Sequence, residues 1–144
     1  MKTLKTLTPS PDQIHQSWIL IDATDQPLGR LSTKVASILR GKTKPYFVPN
    51  IDCGDYVVII NAEQVLVTGS KALQKVYQDY SGFPSGLRTT SYARMLENKP
   101  EDIILRAVKG MMPKNVLGRQ MLSKLKIYAG SEHPHEAQKP VALP

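Results

Sequence analysis

Two short apolar runs, Trp18-Ile19-Leu20-Ile21 and Tyr56-Val57-Val58-Ile59-Ile60, place the strongest constraint on how this chain folds. Each is continuous rather than alternating, and the second is rich in β-branched residues, which is the pattern of strands buried on both faces. The segment between them supplies a helix, because Leu28, Leu31, Val35, Ile38 and Leu39 form an apolar stripe that stops at Gly41. Pro27 suits the first turn of that helix, and Asp25 or Gln26 is expected to cap it. Strand, helix and strand in this order make a parallel crossover unit of the α/β class.

Further along, Val65 to Gly69 reads as a short strand or turn entry, and Lys75 to Tyr80 as another extended segment. Ser81-Gly82-Phe83-Pro84-Ser85-Gly86 has the composition of an exposed loop. Ser91 is placed to cap a helix through Tyr92, Met95 and Leu96, which Pro100 interrupts. Pro100 starts another helix, with Glu101 and Asp102 against its dipole and Gly110 at its end. A last helix begins near Leu117, Ile127-Tyr128-Ala129 reads as a final strand, and from Ser131 three prolines predict an extended tail ordered only against a partner.

At 144 residues the chain can bury roughly 70% of its unfolded surface, enough for a core without a metal or disulfide. The single Cys53 excludes an internal disulfide and fits a reducing compartment. No apolar run reaches the ~18 residues of a membrane span, and residues 1–17 contain no apolar block, so secretion and membrane insertion are not expected.

The net charge of +7 is unevenly placed. In residues 25–50, Arg30, Lys34, Arg40, Lys42 and Lys44 face only Asp25, a balance of +4; residues 113–144 carry +3. Between them, residues 51–70 hold Asp52, Asp55 and Glu63 with no cation, a balance of −3. A pI near 9.6 with clustered cations is the electrostatic footprint of nucleic-acid binding, although a solvated charged surface would give the same totals.

The basic motifs sharpen this. Leu-Gly-Arg occurs at 28–30 and again at 117–119, each near a helix start, where glycine admits a close backbone and arginine can grip a phosphate with two bonds. Arg40-Gly41-Lys42-Thr43-Lys44-Pro45 leaves three cations on a short loop expected to bury none of them. Lys109-Gly110-Met111-Met112-Pro113-Lys114-Asn115 repeats that chemistry. Of the aromatic residues near cations, Tyr80 and Phe83 are the candidates for stacking on unpaired bases, while Tyr46, Tyr77 and Tyr128 suit packing.

Signs of catalysis are weak. Thr68-Gly69-Ser70-Lys71 lacks the upstream glycine of a phosphate loop and reads as a turn. Cys53 has an acidic rather than a basic neighbour, so nothing activates its thiol. Glu132-His133-Pro134-His135-Glu136 has no further ligand to complete a zinc set, which leaves hydrogen bonding to RNA or to the domain surface. No cofactor, metal or small-molecule substrate is expected.

The motifs resemble, in order, those of the bacterial and organellar family of large-ribosomal-subunit protein thirteen. The similarity runs from Trp18–Thr24 and Pro27–Leu31 through Gly54–Ala62, Val67–Gly69 and Lys75–Tyr77 to Val108–Asn115, Leu117–Arg119, Leu122, Lys124–Gly130 and Glu132–His135. Met112 departs from a common Leu, and Ser85 from a common second loop glycine, which bears on how the 81–86 loop meets RNA. The resemblance implies a single three-layer α/β/α domain on a short mainly parallel sheet, with extended N- and C-terminal tails. It implies no catalytic activity, binding to large-subunit rRNA beside neighbouring ribosomal proteins, a part in early subunit assembly, and residence on ribosomes of a bacterial cytoplasm or plastid stroma.

The expected organisation is an N-terminal extension over 1–17, an rRNA-binding domain over 18–130 and a tail over 131–144. The expected phosphate ligands are Arg30, Lys34, Arg40, Lys42 and Lys44 in the first block and Lys109, Lys114, Arg119, Lys124 and Lys126 in the second, with Lys71 and Arg88 secondary. A small nucleotide-binding enzyme, or a regulator of messenger RNA outside the ribosome, are the alternatives that share these features.

Overall fold

The two apolar runs pair as expected. In the computed structural model, which describes residues 8–143, β1 (Trp18–Asp22) and β2 (Tyr56–Ile60) lie parallel, with Trp18 opposite Tyr56 and Asp22 opposite Ile60. Between them runs α1 (Leu28–Arg40), whose stripe of Leu28, Leu31, Val35, Ile38 and Leu39 is buried. Helix α1 ends at Gly41, whose φ of 76° is the left-handed conformation that glycine adopts without strain.

The start of α1 differs from expectation. Pro27, not Asp25 or Gln26, holds the cap position, and no side chain caps the helix. The Leu28 N–H instead donates to the Leu66 carbonyl at 2.9 Å, so a distant segment satisfies it.

Beyond β2 come α2 (Lys71–Gln74), the antiparallel hairpin of β3 (Val76–Tyr80) and β4 (Leu87–Ser91), then α3 (Tyr92–Asn98) and α4 (Pro100–Met111). Ser91 Oγ accepts the Arg94 N–H at 3.4 Å as the cap of α3, and Pro100 opens α4. Gly110 lies inside the last turn of α4 rather than at its end, because the Met112 N–H still reaches the Val108 carbonyl. The loop joining β3 to β4 holds Ser85 at a φ of 60°, a left-handed backbone that favours glycine.

Helix α5 (Val116–Ser123) leads into β5 (Leu125–Ile127), two residues earlier than the strand expected at Ile127–Ala129. The main sheet has the order β5-β2-β1-β6, all parallel, with β6 formed by Val141–Leu143. One face, carrying Ile19, Ile21, Val57, Ile59, Leu125 and Ile127, joins α1, α3 and α4 in one core. This is the α/β fold on a short parallel sheet that the sequence implied.

The tail is the main correction. It does not await a partner, since β6 pairs with β1 and the His135 ring lies 5.0 Å from Trp18, itself stacked on Tyr56 at 4.5 Å. His135 Nε2 also hydrogen-bonds the Tyr128 hydroxyl at 2.8 Å, which gives the histidines a partner on the domain's own surface. At the other end, residues 1–7 of the expected extension fall outside the described residues.

Candidate nucleic-acid interface

Packing of α1 on α4 brings the first basic block beside the end of α4, from which the second basic stretch continues. At the seam, Thr33 Oγ1 lies 3.7 Å from the sulfur of Met111, the last residue of α4 and 44% exposed. Two grooves share Met111, and a third begins at Met112 where α4 gives way to α5. One runs past Pro27, Gly29 and Met111 and is bordered by Thr68, Lys71 and Lys75. A second lies between Thr33, Ser37 and Met111 and is bordered by Arg40 and Lys42. The third has Met112, Pro113 and Leu122 at its base, with Lys109, Lys114 and Arg119 exposed around it.

Arg40, Lys42 and Lys71 therefore border two grooves joined at Met111, and Lys109, Lys114 and Arg119 border the third, at the junction of α4 and α5. Arg30 and Lys34 stand exposed on the adjoining stripe of α1. Arg88 lies apart on the hairpin, opposite Asp79 in register, and Lys126 projects from the other face of the sheet, opposite Val58. Lys75 escaped the sequence reading because only its place beside Gly29 and Met111 marks it.

Two expected ligands turn inward. Against the expectation that the 40–45 loop buries none of its cations, Lys44 Nζ sits 2.7 Å from Asp55 Oδ1, with side chains 14% and 6% exposed. The same ammonium donates to the His15 carbonyl, and Asp55 accepts the Ser17 N–H at 2.8 Å, which fastens the end of the N-terminal extension. Lys124 Nζ is likewise buried against Asp52 Oδ1 and the Gly54 carbonyl. The physical reason lies in the acidic segment between the basic blocks: Asp52 and Asp55 supply one internal counter-charge to each block, because an unpaired buried ammonium would be prohibitively costly.

The two Leu-Gly-Arg triplets also diverge. A Cβ on Gly118 would fall 1.9 Å from the Pro113 carbonyl oxygen, so the turn into α5 requires glycine. Asn115 Oδ1 accepts the Gly118 N–H at 2.7 Å and caps that helix. A Cβ on Gly29 would meet nothing within 4 Å, and neither would one on Gly110. An exposed glycine weakens a helix, and no packing inside the chain requires these two. Gly29 lines the groove beside Met111 and Gly110 is exposed in the last turn of α4, so each leaves helix backbone open to close approach.

The hairpin is held to α4 by a two-pronged ion pair in which Arg106 donates to both Asp79 oxygens at 2.9 and 2.8 Å. These bonds hold the Asp79 carboxyl below its usual range. Tyr77 faces inward between the charges of Lys75 and Arg106, 5.3 and 5.6 Å from its ring, and burial pushes its phenol up. At the tip, Tyr80 and Phe83 remain open, 67% and 72% exposed. Cys53 is buried, and among the described residues no three His, Cys, Asp or Glu side chains gather as a metal site. No described helix is long and apolar enough to cross a membrane.

The fold and this surface define a basic α/β protein that presents cations along exposed grooves, with Asp52, Asp55 and Asp79 held in ion pairs. Its sequence matches the family model of ribosomal protein L13 over residues 16–134. Large ribosomal subunit protein uL13 of Prochlorococcus marinus is 54% identical over 96% of this chain and 93% of its own length. The uL13 proteins of Nitratidesulfovibrio vulgaris and Pseudomonas syringae pv. tomato are 52% and 51% identical, each over 97% of this chain and over 97% and 99% of their own lengths. The chain belongs to the ribosomal protein L13 family, and it is a ribosomal protein rather than an enzyme.

Proposed function

We propose that this chain is a constituent of the large ribosomal subunit that grips large-subunit rRNA with the grooved face around Met111 and supports early assembly of that subunit. The observation that carries the reading is that Arg40, Lys42 and Lys71, from distant parts of the chain, border two grooves joined at Met111, while Lys109, Lys114 and Arg119 border a third where α4 gives way to α5. Full-length similarity to uL13 proteins supports the same partner. Such contacts fix position through phosphates, since the deep groove of an RNA helix hides base edges from side chains. Arg30 and Lys34 extend the face along α1, Arg88 and Lys126 contact separate RNA segments, and Lys44 and Lys124 act by holding the loops in shape. The ribosomes concerned are those of a bacterial cytoplasm or plastid stroma, with other large-subunit proteins as neighbours.

The test is sedimentation of a cell or organelle extract at low magnesium, with the protein expected in the large-subunit fraction. Recovery only as free protein would overturn the proposal. In vitro, charge reversal of Lys42, Lys109 and Lys114 should lower the log–log salt slope of rRNA binding by about one unit for each phosphate no longer neutralised.

A further inference from the structure

Of the three grooves, the one at the α4–α5 junction combines two chemistries. Its base is apolar: Met112 is 5% exposed, and Pro113 and Leu122 are half-buried beside it. Its border is cationic, with Lys109, Lys114 and Arg119 all exposed. Of the first N–H groups of α5, that of Gly118 is already taken by Asn115 Oδ1. The cationic groups offered to an anion here are the three side chains.

We infer that this groove holds a single unpaired nucleotide turned out of an RNA helix, its base on Met112, Pro113 and Leu122 and its flanking phosphates on Lys109, Lys114 and Arg119. The inference rests on the proposed rRNA binding and specifies what one part of the interface takes. A backbone phosphate alone would use the cations and leave the apolar base wet. An apolar side chain of a protein would fill the base and leave three cations desolvated at its edge. A nucleotide uses both, since its base buries a flat apolar face while its phosphates stay at the border. The methionine sulfur is polarizable and suits an aromatic edge, and the Arg119 guanidinium can lie flat on a base or fork onto a phosphate. An unpaired base is also the least costly to extrude, so the groove would select a bulge over continuous helix.

Because Met112 and Leu122 also pack in the core or against it, the probe is varied rather than the floor. Fluorescence anisotropy of the full chain would compare three RNA hairpins of equal length: one with a single-adenosine bulge, one with an abasic nucleotide at the bulge, and one fully paired. The bulged hairpin should bind about tenfold tighter than the other two, the equivalent of burying one face of a base. Arg119→Ala should collapse that ratio, whereas Lys42→Ala, which removes a charge from a different groove, should weaken all three alike and keep it. Equal affinity for the three hairpins would overturn the groove assignment while leaving rRNA binding standing. Absence of salt-dependent binding to the hairpins and to large-subunit rRNA would overturn the proposed function as well.

Discussion

Lys124 Nζ lies 2.5 Å from Asp52 Oδ1 across 72 residues of sequence, and the lysine side chain is only 6% exposed. Removing either partner exposes an imbalance of different size. Asp52→Ala leaves the buried ammonium without a counter-charge, facing the Gly54 carbonyl and the Tyr56 ring, and should cost about 3 kcal/mol. Lys124→Met leaves the carboxylate that is already 22% exposed, and it should cost less. Urea denaturation of the two variants checks the order. Equal and small losses would show that the pair contributes little to the fold.

The identical triplets at 28–30 and 117–119 should respond oppositely to the same change. Gly118→Ala drives a methyl into the Pro113 carbonyl and should destabilise the protein by about 2 kcal/mol or more. Gly29→Ala and Gly110→Ala meet open space and should be neutral or stabilise by about 0.5–1 kcal/mol each. If RNA backbone closes on those helices, the same two alanines weaken rRNA association several-fold. Thermal unfolding and rRNA binding measured together separate the effects.

At the hairpin tip, Ser85 holds a φ of 60°, a conformation that costs a non-glycine residue about 1 kcal/mol. Ser85→Gly should relieve it, with part of the gain lost to the freer unfolded chain. The readout is slower hydrogen exchange at the Ser81 N–H, which donates to the Gly86 carbonyl across the loop. Faster exchange would mean that the serine contributes more than the backbone strain removes.

Acid should weaken the fold through two carboxylates. Asp22 is held below its usual range by hydrogen bonds from the Asn61 amide and from Thr24, and Asp79 by those from Arg106. In the unfolded chain both groups return to about 3.9 and take up protons first on acidification. The stability they confer is therefore complete above about pH 4 and is lost as pH falls through their lower folded values. An Asp22→Asn, Asp79→Asn double variant should be less stable at neutral pH and should show a shallower stability loss below pH 4. Chemical denaturation across pH 2–7 measures both; an unchanged acid slope would place the sensitivity elsewhere.

Elements written in local periodicity were legible. The runs at Trp18–Ile21 and Tyr56–Ile60, the α1 stripe and the Ser91 and Pro100 helix starts fell where their patterns put them, because each depends on residues within a turn or two. Strand β4, Leu87–Ser91, carries no apolar run and exists through pairing with β3. Strand β6 follows Pro140 in a proline-marked tail and forms only because β1 offers it an edge.

The same division holds for the interface. The linear order of residues establishes that there are two basic stretches, that glycine and proline punctuate them, and that an acidic segment separates them. Which of those charges face outward is settled by folding. Lys42 and Lys44 are two residues apart with the same side chain, yet Lys42 is exposed and Lys44 lies 2.7 Å from Asp55. Helix and strand periods are local and survive in a linear reading. An ion pair depends on a separation of a few ångströms in a poorly solvated site, and only the folded chain sets that distance.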